Sequence, residues 1–237
     1  MASETETVVG GPVLVVAPHG MDEVLGCGGT IARLTAANRR VEVLVLFGGG
    51  IGGNTAIRAA GLRVAALLGS EPPRYADFPE NRSDTLPLLD VVGVVERTVT
   101  ELRPAEVYVS HGGNLNIDHQ TAFRAVATAL RPVPGTPVRR LLAYEIPSST
   151  DWAPPGFGEP YRPTCFVDIA DHLDRKLAAL DVYGPVTRPW PHARSRKAVE
   201  ALARSRGASI GLAAAEAFVL LREVLVIDNP ADKVVAN

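Results

Sequence analysis

Two histidines and one carboxylate stand where this sequence could hold a metal ion. His19 and Asp22 lie three residues apart, directly after the apolar run from Val13 to Ala17, and His119 follows much later in the chain. Neutral imidazoles and a carboxylate bind Zn²⁺ and similar ions, and a three-ligand set leaves a coordination position open for water and substrate. We therefore expect His19, Asp22 and His119 to bind Zn²⁺ or another divalent transition metal for hydrolytic chemistry.

Alternating strands and helices are predicted around these residues. Apolar runs predict buried strands at 13–17, 41–47, 106–109, 140–144 and 165–169. Helical periodicity predicts helices near 24–37, 55–68, 87–102, 120–131, 171–182, 196–205 and 211–222. This order is typical of the α/β class, with a mostly parallel sheet flanked by helices. Ligands bind beyond the carboxyl ends of strands in such sheets, so His19, His111 and His119 are expected on the same edge.

Size and composition restrict the class of protein. The chain has 237 residues, 46% apolar content and a net charge of −2, which predict a single domain over 1–237 with flexible ends at 1–10 and 228–237. The charge and the 5% aromatic content argue against nucleic acid as a partner. No apolar run is long enough to span a membrane, and two cysteines form no disulfide framework, so a cytoplasmic location is expected.

The segment from His19 to Thr30, HGMDEVLGCGGT, resembles the signature of the PIG-L/LmbE metal-dependent N-deacetylases. Further similar segments follow in order along nearly the whole chain: Arg58 with 65–69, then 78–82, 112–119, 191–195, 206–207 and 215–218. The resemblance implies a Rossmann-like α/β domain with His19, Asp22 and His119 as Zn²⁺ ligands. It also implies a sugar-like small-molecule substrate, removal of an N-acyl group, and assembly into a homo-oligomer.

The chain departs from this family at several acidic positions. Met21 stands where the family has the aspartate that acts as general base, and methionine cannot accept a proton. General-base assistance contributes about 10²–10⁴-fold to a rate. Gly61, Asn114 and Val186 likewise replace carboxylates that are usual in one bacterial branch. The three predicted ligands are kept while these carboxylates are lost. We therefore interpret the site as adapted to a different substrate or reaction.

Few residues are available to replace the missing base. Glu23 is expected to point away from the ligands and to favour the helix N-terminus. Asp118 adjoins His119 and is expected to orient a neighbouring group. His111, eight residues before His119, could act as a base or donate to an oxyanion, although an exposed loop histidine is an equal alternative.

Other polar residues are candidates for substrate contacts. These candidates are Arg58, Asn114, Arg188 and His192. The segment 48–53 has the form G-x-G-x-x-G, but it follows the second strand and lacks a later acidic partner, so an active-site loop is favoured over a dinucleotide site.

The ligand pattern predicts a metal-dependent hydrolase, and the resemblance implies that it removes an N-acyl group from an amino sugar or related small molecule. One alternative is a metal-dependent tailoring enzyme of small-molecule biosynthesis with other chemistry. The second alternative is a catalytically silent homologue that binds metal or sugar.

Overall fold

The computed structural model describes residues 10–48, 54–184 and 187–225. The termini that the sequence predicts to be flexible lie almost entirely outside these described residues. Positions 49–53 of the predicted active-site loop, and Val186, lie outside them as well.

A seven-stranded mixed sheet forms the centre of the fold, in the order β3-β2-β1-β4-β5-β7-β6. The strands are β1 Val13–Ala17, β2 Val41–Val45, β3 Arg74–Tyr75, β4 Glu106–Ser110, β5 Arg140–Tyr144, β6 Cys165–Asp168 and β7 Ala215–Glu223. The first five strands in the chain pair in parallel, whereas β7 is antiparallel to both of its neighbours. The predicted α/β class with a mostly parallel sheet is confirmed.

Six α-helices of the described chain flank this sheet on its two faces. They are α1 Asp22–Ala36, α2 Thr55–Leu68, α3 Leu88–Leu102, α4 Ile117–Ala129, α5 Leu173–Val182 and α6 Arg196–Ala208. Side-chain caps set the start of several helices: the Asn116 side chain accepts from the Asp118 amide at α4, and Ser195 accepts from the Ala198 amide at α6. Such caps satisfy amide groups that a helix start leaves without partners. Thus Asn116 helps to place His119 in the first turn of α4.

The predicted helix at 211–222 is wrong, because residues Ala215–Glu223 form strand β7. This segment is rich in alanine and leucine, which favour helices. Tertiary contacts override that preference: β7 pairs with β5 on one side and β6 on the other. The buried Glu216 side chain also accepts from the amides of Gly29 and Thr30 in α1, at 2.9 and 2.7 Å.

Helix α1 packs very closely on the sheet at Gly26. A Cβ atom at this position would lie 2.1 Å from Cδ2 of Tyr144, a fully buried ring whose hydroxyl donates to the Val16 carbonyl. Only glycine permits this approach, which brings the start of α1 onto the edge of the sheet.

We expect Gly26→Ala to destabilise the protein by about 1–3 kcal/mol, because the added methyl group overpacks the Tyr144 contact. Chemical denaturation monitored by circular dichroism measures this change. Gly93→Ala in α3 is the matched control, since among the described residues its Cβ would meet only Arg97 Nη1, at 3.6 Å. It should stabilise the protein by about 0.5–1 kcal/mol through helix propensity alone. Equal effects at the two positions would contradict the packing argument.

Candidate metal centre

The turn between β1 and α1 carries two of the predicted ligands. Met21 precedes the helix with a left-handed backbone, at φ 90°, and the chain then enters α1 at Asp22. One carboxylate oxygen of Asp22 accepts from the backbone amide of His19 at 3.0 Å. This bond closes the turn and holds the side chains of His19 and Asp22 on the same side of it.

His19, Asp22 and His119 converge at the carboxyl edge of the sheet. Their ligand atoms all lie within 4.8 Å of one another. Oδ2 of Asp22 lies 3.3 Å from His19 Nδ1 and 3.2 Å from His119 Nε2. His119 and Asp22 are buried, and His19 is partly buried. One carboxylate oxygen between two imidazole nitrogens is a donor set that fits a divalent transition metal.

Asp118 orients His19 from outside this cluster. Its Oδ2 lies 2.8 Å from His19 Nε2, on the side of the ring opposite to Asp22. The same carboxylate accepts from the backbone amides of Asn81 and Ser83, at 2.6 and 3.1 Å. A carboxylate behind a metal-binding histidine fixes its tautomer and ring orientation. The orienting role expected for Asp118 agrees with this geometry.

The electrostatics of the cluster favour a positive charge. Burial alone would lower the pKa of His19, but its hydrogen bonds to Asp118 and Asp22 outweigh burial and raise that pKa to about 10. Burial opposes ionisation of Asp22 too, yet the two histidines hold its pKa well below the ordinary value. The Nδ1 atom of His119 has no hydrogen-bond partner among the described residues.

Met21 contributes no polar side-chain atom to the site. Its side chain is buried among apolar residues of the core, and its amide donates to Glu23 Oε2 at 2.9 Å. The other Glu23 oxygen accepts from the Tyr183 hydroxyl at 2.5 Å. Burial raises the pKa of Glu23 to about 7, although the Tyr183 bond opposes this shift. Both oxygens of Glu23 are thus engaged outside the His–Asp–His cluster.

A cavity of about 140 Å³ opens next to His19. Its lining includes Phe47, Asn54, Arg58, Tyr75 and Glu80. Of these residues, sequence reasoning selected only Arg58 for substrate contact. The others belong to β3 or to loops whose place beside His19 depends on the tertiary fold.

Tyr75 occupies the space left by a carboxylate that the resemblance leads one to expect at position 61. A Cβ on Gly61 would lie 2.5 Å from the Tyr75 hydroxyl oxygen. The guanidinium of Arg58 stacks 4.3 Å from the centre of the Tyr75 ring and pairs with Asp77. Gly61 therefore leaves room for the Tyr75 hydroxyl group, and Asp77 balances the positive charge of Arg58 in the cavity wall.

The remaining predicted residues lie outside the His19 cavity. His111 lines a different cavity with Phe123 and Arg124, its Nδ1 accepts from the Gly113 amide, and burial lowers its pKa. The Asn114 side chain is fully buried and holds its own loop through bonds to Thr150 Oγ1 and to a neighbouring amide.

Two candidates for substrate contact lie on a loop that precedes α6. Arg188 is exposed, and His192 packs edge-on against Trp152 with ring centres 5.4 Å apart. The structure therefore brings the three predicted ligands and Asp118 together, and Arg58 lines the cavity beside His19. It does not bring His111, Asn114, Arg188 or His192 into the same cavity.

The fold and the cluster define the class: a Rossmann-like α/β protein with a His–Asp–His site at the carboxyl edge of its sheet. Residues 14–130 match the PIG-L family, described as GlcNAc-PI de-N-acetylase. This match confirms the resemblance to the PIG-L family that the signature segment predicts. No helix within the described ranges combines the length and hydrophobicity needed to cross a membrane.

Three known proteins illustrate the similarity. The uncharacterized deacetylase YaiS of Escherichia coli is 26% identical over 176 residues, which cover 71% of this chain and 88% of YaiS. The conserved protein TT1542 of Thermus thermophilus is 27% identical with a TM-score of 0.73, covering 91% of this chain and 96% of TT1542. The N,N'-diacetylchitobiose deacetylase of Pyrococcus horikoshii shares the fold at 18% identity and a TM-score of 0.71, covering 94% and 88% of the two chains.

Proposed function

We propose that this protein is a metal-dependent hydrolase that removes an N-acyl group from an amino sugar or a related small molecule. The observation that carries the proposal is the convergence of His19, Asp22 and His119 within 4.8 Å. The match of residues 14–130 to a deacetylase family and the similarity to YaiS support the reaction class. The description of the family, GlcNAc-PI de-N-acetylase, supports a sugar-like substrate.

His19, Asp22 and His119 would hold the ion, and Zn²⁺ is the ion that this donor set suits best. A divalent ion held there would supply Lewis-acid chemistry, lowering the pKa of water and polarising the acyl carbonyl. Asp118 keeps the His19 ring in one orientation through its 2.8 Å contact. The apolar side of the cavity, formed in part by Phe47 and Ile57, offers room for the acyl group.

Hydrolysis also needs a group that accepts a proton from the attacking water, and Met21 cannot supply it. Asp118 is committed to His19 and two amides, and His111 lies in another cavity. Glu80 is the one carboxylate among the described residues that line the His19 cavity. Its neighbour Asn81 donates to Asp118, which places this loop beside the cluster. We assign Glu80 the role of proton acceptor.

The test is the release of free amine from N-acetylglucosamine and N,N'-diacetylchitobiose by protein loaded with Zn²⁺. We expect turnover that EDTA abolishes and that Glu80→Gln lowers by about 10²–10⁴-fold. Metal content of each variant, measured by mass spectrometry, separates loss of the ion from loss of the base.

The result that overturns the proposal is a metal-loaded natural chain that hydrolyses no amide, together with a Met21→Asp variant that does. Such a result favours the alternative of a metal-dependent enzyme with other chemistry, since one fold supports many reactions. Turnover unaffected by Glu80→Gln would remove Glu80 from the mechanism while leaving the hydrolase in place.

A further inference from the structure

Tyr75 forms an aromatic wall of the cavity beside His19, and the reaction assigned to the His–Asp–His cluster gives it no role. Its ring comes from β3, the strand at one end of the sheet, which pairs with β2 at Leu44 and Val45. The following amide, that of Ala76, donates to the Val45 carbonyl at 2.9 Å. The backbone of Tyr75 is therefore fixed against the sheet where its side chain enters the cavity.

Two positions of α2, Arg58 and Gly61, hold the Tyr75 ring in place. The guanidinium carbon of Arg58 lies 4.3 Å from the ring centre, and Arg58 is itself paired with Asp77. At the far end of the ring the hydroxyl group reaches α2 at Gly61, where a Cβ would lie 2.5 Å from the hydroxyl oxygen. A side chain at position 61 would therefore collide with Tyr75. The ring occupies its place because position 61 has no side chain.

The rest of the apolar lining lies against the turn that carries His19. The ring centres of Phe47 and His19 are 6.3 Å apart. Ile57 packs on Gly20, where a Cβ would lie 2.5 Å from Cγ2 of Ile57. Phe47 and Ile57 line the same cavity as His19 and Tyr75. A group held at His19 and a group in contact with Tyr75 thus share one continuous space.

The volume of this space limits what it accommodates. It measures about 140 Å³. A cavity of about 150 Å³ accommodates a group the size of benzene, with about six carbon atoms. The reacting carbonyl and the attacking water take part of this volume. Burial raises the pKa of Tyr75 to about 12, so its hydroxyl keeps its proton near neutral pH and the wall is uncharged. The Tyr75 side of the cavity therefore suits an apolar chain of a few carbon atoms.

We propose that Tyr75 determines the length of the acyl group that this protein accepts. Its ring closes the cavity and limits the acyl group to a few carbon atoms, and Gly61 is the position that admits the ring. This inference rests on the proposed hydrolase function, because it places the reacting carbonyl at His19. It gives Tyr75 a part in specificity and none in proton transfer.

Binding of hydroxamates tests the proposal without turnover. A hydroxamate binds Zn²⁺ through its two oxygen atoms, so its carbon chain stands in for the acyl chain of a substrate. The probes are acetohydroxamate and octanohydroxamate, titrated by calorimetry into protein loaded with Zn²⁺. We expect the natural chain to bind acetohydroxamate about tenfold or more tightly than octanohydroxamate, because the longer chain exceeds the volume of the cavity.

Two variants remove or keep the aromatic wall. Tyr75→Ala opens the cavity, and since buried methylene groups add affinity, it should raise octanohydroxamate affinity by about tenfold and leave acetohydroxamate affinity within about twofold. Tyr75→Phe keeps the ring and should keep the natural preference. Leu62→Ala is the matched control, because Leu62 follows Gly61 in α2 but is 54% exposed. It should change neither affinity. Circular dichroism verifies that each variant is folded.

A double-mutant cycle tests the part assigned to Gly61. Gly61→Ala should displace the Tyr75 ring and weaken acetohydroxamate binding, because the new methyl group meets the hydroxyl oxygen. Tyr75→Phe removes that oxygen, so the same substitution should weaken binding less in the Tyr75→Phe background. Strictly additive effects of the two substitutions would contradict the contact.

Equal affinity of the natural chain for the two hydroxamates would overturn this inference, as would a preference for the shorter probe that survives Tyr75→Ala. A chain that binds no Zn²⁺ would overturn the inference together with the proposed function. Release of amine from N-acetylglucosamine without any length preference would leave the hydrolase proposal standing alone. A length preference in binding without release of amine would refute the hydrolase and keep Tyr75 as the wall of a site for short acyl-like ligands.

Discussion

Replacing His119 by alanine should abolish stoichiometric metal binding and lower kcat/KM for amide hydrolysis by about 10³-fold or more. The His119 ring is 1% exposed, and its Nε2 atom lies 3.2 Å from Asp22 Oδ2. Its Nδ1 atom has no hydrogen-bond partner in the part of the chain that the structure describes. Removing the ring should therefore affect the His–Asp–His cluster more than the stability of the surrounding fold. Charge stabilisation by a metal ion is worth several kcal/mol, and each 1.36 kcal/mol is a factor of ten in rate.

His119 is a better residue than Asp22 to replace in a test of the metal site. Asp22 also accepts from the His19 amide and closes the turn before α1, so its removal would disturb the backbone. Metal analysis and amine release are measured on His119→Ala, with circular dichroism to verify the fold. His172→Ala is the control, since His172 lies at the start of α5 outside the cluster. Full activity of folded His119→Ala would refute the metal site.

Replacing Lys176 by methionine should destabilise the protein by about 3–5 kcal/mol, the usual cost of breaking a buried ion pair on one side. Lys176 is 3% exposed, and its ammonium group donates to Glu216 Oε1 at 2.5 Å and to the Leu25 carbonyl at 2.8 Å. The change leaves a carboxylate buried against α1 without its counter-charge. Urea denaturation gives the free energy of unfolding.

Arg196→Met is the matched control for this prediction. Arg196 and Asp181 form a salt bridge of 2.8 Å, but their side chains are 48% and 56% exposed. Exposed pairs contribute about 0–1 kcal/mol, so the control should unfold almost as the natural chain does. A loss below about 1 kcal/mol for Lys176→Met would show that Glu216 is stabilised by the two α1 amides alone.

The edge of the sheet where the ligands meet was predictable from local patterns. The apolar run before His19 is continuous and uninterrupted by polar residues, as expected for a buried parallel strand. The carboxyl ends of parallel strands lie on one edge, which brings His19 and His119 together without knowledge of any long-range contact. A contact of Asp118 with a neighbouring polar group was likewise expected from its position beside His119.

The rest of the site depends on contacts between distant segments. The sequence of strand β7 predicts a helix because its alanines and leucines favour helices. The pairing of β7 with β5 and β6, which makes it a strand, cannot be inferred from the local sequence. Tyr75 enters the His19 cavity through a two-residue strand, too short to give a periodic signal. His111 follows β4 directly, but its side chain enters another cavity, since position on an edge does not determine the direction of a side chain.

The attachment of Glu216 to α1 has a consequence for how the protein matures during synthesis. Strand β6 lies at the end of the described sheet beside β7, and β7 carries the carboxylate that accepts from the Gly29 and Thr30 amides of the helix that begins at Asp22. His19, Asp22 and His119 are synthesised long before residues 215–223. Tight binding at the proposed metal site should therefore follow emergence of β7, and a stalled nascent chain that ends before Ala215 should exchange the ion freely.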